Sequence, residues 1–343
     1  MMEMEISDVK ELKREKNSYK KNNFFRYLKF FLIPGWRDPI YSQKEYEIEK
    51  IKSKRRFFRR LITQPLTLIG MILVLFIVFL AVYAPWIAKY PLEYVVNIAK
   101  AIDIGDPYTL PSELHPWGTT AYGYDLFSRI IWGSRTVITF GILTIIVASL
   151  GGIVVGTISG YYGGKVDAIL MRIVDFSLAF PTLVLVIIFT ELINRDLITI
   201  LIIFGLFAIP SYSRLMRASV LETKQQLYIE AAKTSGARNF KIMFKHLLAN
   251  SISPILVRFF GGVGVAIIGF AGIAFLGFGD NKLPDWGTDL NYGRGHLSLI
   301  HTTAFPGLFI LIAVLGFMLL GDGLRDALNP QLKIIKKQKK RVS

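Results

Sequence analysis

Five long stretches without a charged side chain, and a shorter sixth, restrict what this chain can fold into more than any other feature. The long ones lie at 61–88, 136–164, 197–213, 259–279 and 295–321. The sixth, 176–190, reaches spanning length only if it extends back through Asp175 towards Ile169. A helix needs about 20 apolar residues to cross the hydrocarbon core of a bilayer. With 52% hydrophobic residues in a 343-residue chain, the pattern predicts an all-α polytopic membrane protein. Six spans is the simplest count, although the runs at 176–190 and 197–213 are short.

The net charge of +16 is unevenly placed. Residues 1–60 carry 17 Lys/Arg against 9 Asp/Glu, segment 214–258 carries 8 against 2, and the tail 331–343 carries 6 against none. The connections 89–135 and 280–301 carry 4 against 5 and 2 against 3. Positive charge stays on the cytoplasmic side, which puts both termini and 214–258 inside and the two connections outside. Both termini inside requires an even number of spans, so the charges agree with six. The basic balance is accounted for by topology, and no nucleic-acid partner is needed. The first apolar run starts some 60 residues in, outlasts a signal-peptide core and lacks a small-residue cleavage pattern, so it reads as a retained helix. These readings divide the chain into a basic cytoplasmic extension (1–60), a first helix with its outer connection (61–135), a five-helix core (136–322) containing the loop 214–258, and a basic cytoplasmic tail (323–343).

Several side chains fit this frame. Arg55, Arg56, Arg59 and Arg60 suit lipid headgroups, and Tyr83, Trp86 and Tyr90 suit an aromatic belt. Phe24 to Leu32 forms a basic, aromatic stretch that either lies in the membrane interface or packs on the protein itself. Arg129 and Arg135 are expected ahead of the second span. That span is rich in small residues (Gly141, Ala148, Ser149, Gly151, Gly152, Gly156), and the fifth holds seven glycines from Gly261 to Gly279, both patterns of close helix packing. A moving, pore-lining fifth helix is the functional alternative. Asp175 is expected to pair with Arg172, three residues earlier. Pro181 and Pro210 are expected to kink their helices.

Between the fourth and fifth runs, residues 228–254 form an ordered polar hairpin with Glu230-Ala231-Ala232, then Gly236, Arg238 and Ile242. This stretch resembles the Glu-Ala-Ala loop of ABC-importer permeases. From about Gln64 to Leu332 the chain resembles the C-type permease subunit of the oligopeptide/dipeptide family. The resemblance is carried by His115-Pro116-Trp117-Gly118-Thr119 with Gly123, Asp125, Ser128, Arg129 and Gly133. Further on it includes Gly160-Tyr161-Tyr162-Gly163-Gly164 with Asp167, Asp175 with Ala179-Phe180-Pro181, and the loop itself. It continues through Phe275-Leu276-Gly277-Phe278-Gly279 with Trp286-Gly287, Phe305-Pro306-Gly307, and the run Leu320-Gly321-Asp322-Gly323-Leu324-Arg325-Asp326-Ala327-Leu328-Asn329-Pro330. Thr120 and Tyr124 stand where the family usually has Asp and Arg, and Ala249 where it often has Pro. These departures are expected to remove charge from the outer face.

The resemblance implies a type I ABC importer permease fold. It also implies a heterodimer with a second, similar permease, two cytoplasmic ATPases, an extracytoplasmic solute-binding protein and a peptide substrate in a prokaryotic cell membrane. Glu230, Ala231, Ala232, Gly236, Arg238 and Ile242 would form the ATPase-coupling loop: two short helices around Gly236, with Glu230 facing a basic group on the ATPase and Lys233, Arg238, Lys241 and Lys245 giving a cationic surface. Uptake of nickel chelates, glutathione or oligosaccharides on the same scaffold, or a non-transporting membrane anchor, are the alternatives. No residues are expected to be catalytic, to bind a cofactor or to hold a metal. Gly164-Lys165-Val166 is no phosphate loop, because Ser159 and Val166 replace its first Gly and its Ser/Thr; ATP would be bound by partner subunits. The chain has no cysteine, and His115, His246, His296 and His301 are scattered.

Overall fold

The computed structural model describes residues 61–280, 282–296 and 298–328. The chain divides into two units after Thr63, and every element named below belongs to the second. The aromatic stretch at 24–32, the arginines at 55–60, Asn329-Pro330 and the tail 331–343 lie outside the described residues. Among the described residues helices account for the fold, with no strand beyond one isolated bridge between Thr119 and Asp125.

Among the described residues, five helices are long and apolar enough to cross a membrane. The first, α1 (Pro65–Ile87), opens on a proline, whose missing N–H would be unpaired there anyway. Its buried residues, Thr67, Gly70, Ile77, Leu80 and Ala84, form one narrow stripe. Ile69, Ile72, Phe76 and Phe79 are exposed on the remaining surface, the side left to lipid. Next, α2 (Leu126–Tyr162) is capped by Asp125, which accepts from the Ser128 N–H at 2.8 Å. It runs through position 135, so Arg129 and Arg135 lie within it rather than ahead of it. Arg135 is tolerated because it donates to the Ala81 and Val82 carbonyls near the end of α1, at 2.6 and 3.2 Å.

The third run differs most from expectation. Instead of one helix across 176–190 there are two, α3 (Gly164–Leu178) and α4 (Thr182–Ile193), bent by 84° at the break. Pro181 causes it: proline lacks the N–H that would continue α3 and disfavours helical backbone at Phe180. The spans number six if this pair counts as one. In contrast, α5 (Leu197–Lys224) continues through Pro210. After a hairpin containing α6 (Leu227–Thr234), α7 (Ser253–Ile273) runs into a π-helical turn at Ala274–Phe278. The short α8 (Trp286–Gly293) precedes α9 (His301–Leu328), which begins six residues later than the charge-free run.

Small residues set the packing. A Cβ on Gly152, Gly156 or Gly160 of α2 would come within 2.3 Å of Tyr212 Cβ, 2.5 Å of the Ser213 carbonyl and 2.7 Å of Val220 Cγ1 on α5. That four-residue repeat lets two backbones meet where lipid provides no hydrophobic drive. On the other side of α2, Phe140 stacks on Phe270 of α7 with ring centroids 4.2 Å apart. Asp175 does not pair with Arg172. It bonds Arg214 of α5 at 2.5 Å, while Asp167 takes both ends of Arg217 at 2.5 and 2.6 Å. Two carboxylates on α3 thus tie the bent pair to α5.

Candidate functional site

The hairpin between α5 and α7 is built to be firm underneath and open on top. Ile229, Ile242, Met243 and Leu247 are buried in the core, and Ala232 and Ala237 pack partly against it. Polar bonds hold its ends. Lys224 at the end of α5 donates to the Tyr161 carbonyl at 2.6 Å, and the Tyr161 hydroxyl donates to Asn239 Oδ1 at 2.7 Å. The Ser251 hydroxyl donates to Thr223 Oγ1 at 2.9 Å, and that of Ser219 to the Ser251 carbonyl at 2.9 Å. The hairpin is thereby fastened to the end of α2 and to α5.

Its turn explains the spacing of the sequence pattern. The Ala237 N–H bonds the Ala232 carbonyl at 3.1 Å and the Gly236 N–H bonds the Lys233 carbonyl at 3.0 Å, the paired bonds of a Schellman helix end. Gly236 has φ +75°, and a Cβ there would meet nothing within 4 Å. Glycine is therefore wanted for its backbone conformation and not for space. Of the candidate residues, Glu230, Ala231, Gly236 and Arg238 are exposed, Ala232 is half-buried, and Ile242 is buried at 1% exposure. The first four form the accessible face, and Ile242 anchors it from below.

The polar reading of the hairpin missed its exposed apolar side chains. Leu227 and Phe240 are 82% and 72% exposed, Tyr228 and Phe244 are also exposed, and the Phe240 and Phe244 rings lie 4.4 Å apart. The four-residue spacing of Phe240 and Phe244 in an otherwise polar segment was the available signal. Scattered exposed apolar residues are ordinary. Several on one firmly held elbow, beside exposed Glu230 and Arg238, make a surface suited to a protein partner.

At the far end of α2, about 55 Å away along a 37-residue helix, the motifs lock the bundle. His115 bonds Asp125 through Nδ1 and the Ile104 carbonyl through Nε2, each at 2.9 Å. Trp117 stacks on Phe305 at 4.3 Å, and the Trp286 indole donates to the Ile130 carbonyl at 3.0 Å. Buried Arg129 pairs with buried Asp289 and lies 4.7 Å from the centre of the Tyr124 ring. Burial pushes the Asp289 carboxyl up to about 6, with Arg129 opposing the rise and Asp285 adding to it. Thr120 and Tyr124 are buried, at 0% and 4% exposure. They do not remove charge from the outer face: Tyr124 covers Arg129 inside the protein.

A helix bundle of membrane-crossing length, with one rigidly seated polar elbow offering a docking face, defines a multi-pass membrane protein with a site for a partner. The chain belongs to the family of binding-protein-dependent transport system inner membrane components, whose model matches residues 152–334. The N-terminal transmembrane domain of oligopeptide transport permease C matches residues 54–106. The chain is thus a permease of the ABC-importer type. It is 37% identical to the glutathione transport system permease protein GsiD of Pectobacterium atrosepticum, over 81% of this chain and 91% of that one. It is 34% identical to the dipeptide transport system permease protein DppC of Alkalihalophilus pseudofirmus, over 86% and 96%. Among solved structures, the inward-facing MetNI methionine ABC transporter aligns with a TM-score of 0.50 at 18% identity, covering 59% of this chain and 97% of that chain. That likeness concerns the fold alone.

Proposed function

We propose that this permease forms half of the translocation pore of a peptide importer, with a second homologous permease as the other half. Of two cytoplasmic ATPases, one grips this hairpin at Glu230, Ala231, Gly236 and Arg238, and an extracytoplasmic solute-binding protein delivers the solute at the opposite end. The chain binds no nucleotide or other cofactor; ATP is held by the partner subunits. Both termini lie in the cytoplasm of a prokaryotic cell, as the charge asymmetry supports. One observation carries the reading: the hairpin turn is exposed above, yet bonded below to Tyr161 at the end of α2 and, through Ser251 just before α7, to Thr223 and Ser219 of α5. Force applied at the hairpin would be passed to α2 and α5 through these bonds and to α7 through the chain itself. Glutathione, itself a peptide, is the second reading and is favoured by the GsiD relatives.

The test is reconstitution of the full complex in vesicles with a labelled dipeptide and labelled glutathione. ATP-dependent accumulation of the dipeptide is expected. Accumulation of glutathione alone would select the second reading, and ATP hydrolysis with no solute movement would favour a membrane anchor.

A further inference from the structure

One groove in the molecule is left unexplained by packing. It encloses about 740 Å³ between α7 and α9, at the hairpin end of the bundle. That volume falls within the range of small-molecule sites, about 300–1,000 Å³. Val265 and Met318 give it apolar walls, and Arg258, Asp322 and Arg325 bring charges to it. No ion pair uses these charges among the described residues. The Arg258 guanidinium lies beside the Tyr212 hydroxyl and makes a long bond to Ser211 Oγ, at 3.3 Å, and neither Asp322 nor Arg325 has an ion pair or side-chain hydrogen bond among the described residues. All three are exposed at the helix ends, where a solute in the groove can reach them.

Gly261, on the groove floor, is the second observation. A Cβ there would meet nothing within 4 Å, and its backbone is not in the left-handed region. By contrast, Gly262 beside it is required by the Tyr212 hydroxyl, 2.1 Å from where a Cβ would stand. Glycine inside a helix costs about 1 kcal/mol relative to alanine. Neither packing within the chain nor backbone conformation offsets that at Gly261, so its open side is kept for something outside the chain.

We infer that this groove is a transit site for a zwitterionic peptide: Arg258 and Arg325 receive the terminal carboxylate, Asp322 the terminal ammonium, and Gly261 leaves room for the peptide backbone. The inference rests on the peptide reading above and adds to it a place and a chemistry. Two guanidinium groups and one carboxylate match both ends of a short peptide, and bidentate guanidinium–carboxylate pairing provides orientation. A lipid would use the two arginines and leave Asp322 facing its phosphate.

The chain has no cysteine, so Gly261→Cys places a single thiol in this subunit, where the fold has space for it. In the assembled complex, in phosphatidylcholine nanodiscs, maleimide modification of that thiol is followed with and without Ala-Phe. Free Ala-Phe is expected to slow modification about tenfold, the scale of one charge-assisted contact in a partly desolvated groove. N-acetyl-Ala-Phe-amide should not protect. Adding Arg258→Gln should abolish protection, and Arg258→Lys should keep part of it. Equal protection by the capped peptide would overturn the inference. So would protection by phosphatidylglycerol and not by Ala-Phe. If wild-type complex accumulates Ala-Phe but the thiol is never protected, the site is wrong and the importer reading stands. If there is neither accumulation nor protection, the peptide reading falls too.

Discussion

At the scale of single residues, two positions make sharp demands. Gly236 holds a left-handed backbone with open space around it, so any loss on substitution comes from the backbone. A residue with a Cβ pays about 1–2 kcal/mol there, and asparagine less, because its side chain tolerates that region. Gly236→Asn is therefore expected to keep most ATP-driven uptake and Gly236→Val to lose at least about tenfold, with both variants still inserted in the membrane. Uptake at wild-type rate in Gly236→Val would show that the turn is not needed. Asp289 makes a demand of the other kind. Its native carboxyl titrates at about 6 against an ordinary value of 3.8. Between those values the folded form binds more protons than the unfolded one, so this group's contribution to stability falls as pH rises from about 4 to about 6. The melting temperature of purified complex should shift by a few degrees across that window because of this residue, and Asp289→Asn should flatten the dependence, whatever its absolute effect. Parallel melting profiles for the two proteins would contradict this.

At the scale of elements, the hairpin is held to the helices around it by a few bonds. Tyr161→Phe removes the bond to Asn239 and leaves the ring in place, a loss of about 1 kcal/mol. Hydrogen exchange is expected to quicken across 227–247 and stay unchanged around Trp117 and Trp286; quickening at both ends would mean general loosening. The elements also differ in how far they could be read from sequence. Charge-free runs bound α1 closely, because a lipid-facing helix advertises itself by composition alone, but they stop eleven residues short of the end of α5 and start six residues late in α7, where charged residues at the hairpin end are helical too. They place the start of α2 ten residues late, because Arg129 and Arg135 look like boundary charges until Asp289 and the α1 carbonyls are seen to satisfy them. The bend at Pro181 was visible as a proline, but its 84° angle depends on what α3 and α4 each pack against. Asp175 was assigned to the local Arg172, since a sequence shows helical neighbours and not Arg214, 39 residues away. In the hairpin, Gly236 announces its turn directly, whereas the motif that brings Ile242 into the loop does not say that its side chain is buried beneath it.

At the scale of the whole molecule, the two ends of α2 are built differently. Stacked rings and a buried ion pair fasten the Trp117 end, while the Tyr161 end carries the exposed elbow. Force at the elbow should therefore rock the bundle about its fastened end. The orientation this requires, with Lys233 and Arg238 inside the cell, predicts that a membrane-impermeant amine reagent leaves Lys233 unmodified in intact cells and modifies it in inverted vesicles. The most direct test of the account is a crosslink from the elbow itself. With Ala231→Cys as the only thiol in this subunit, a short thiol-directed photo-crosslinker in the assembled complex should join this chain to its ATP-hydrolysing companion, with a yield that changes when ATP binds. Crosslinks only to lipid, or to a protein that binds no nucleotide, would contradict it.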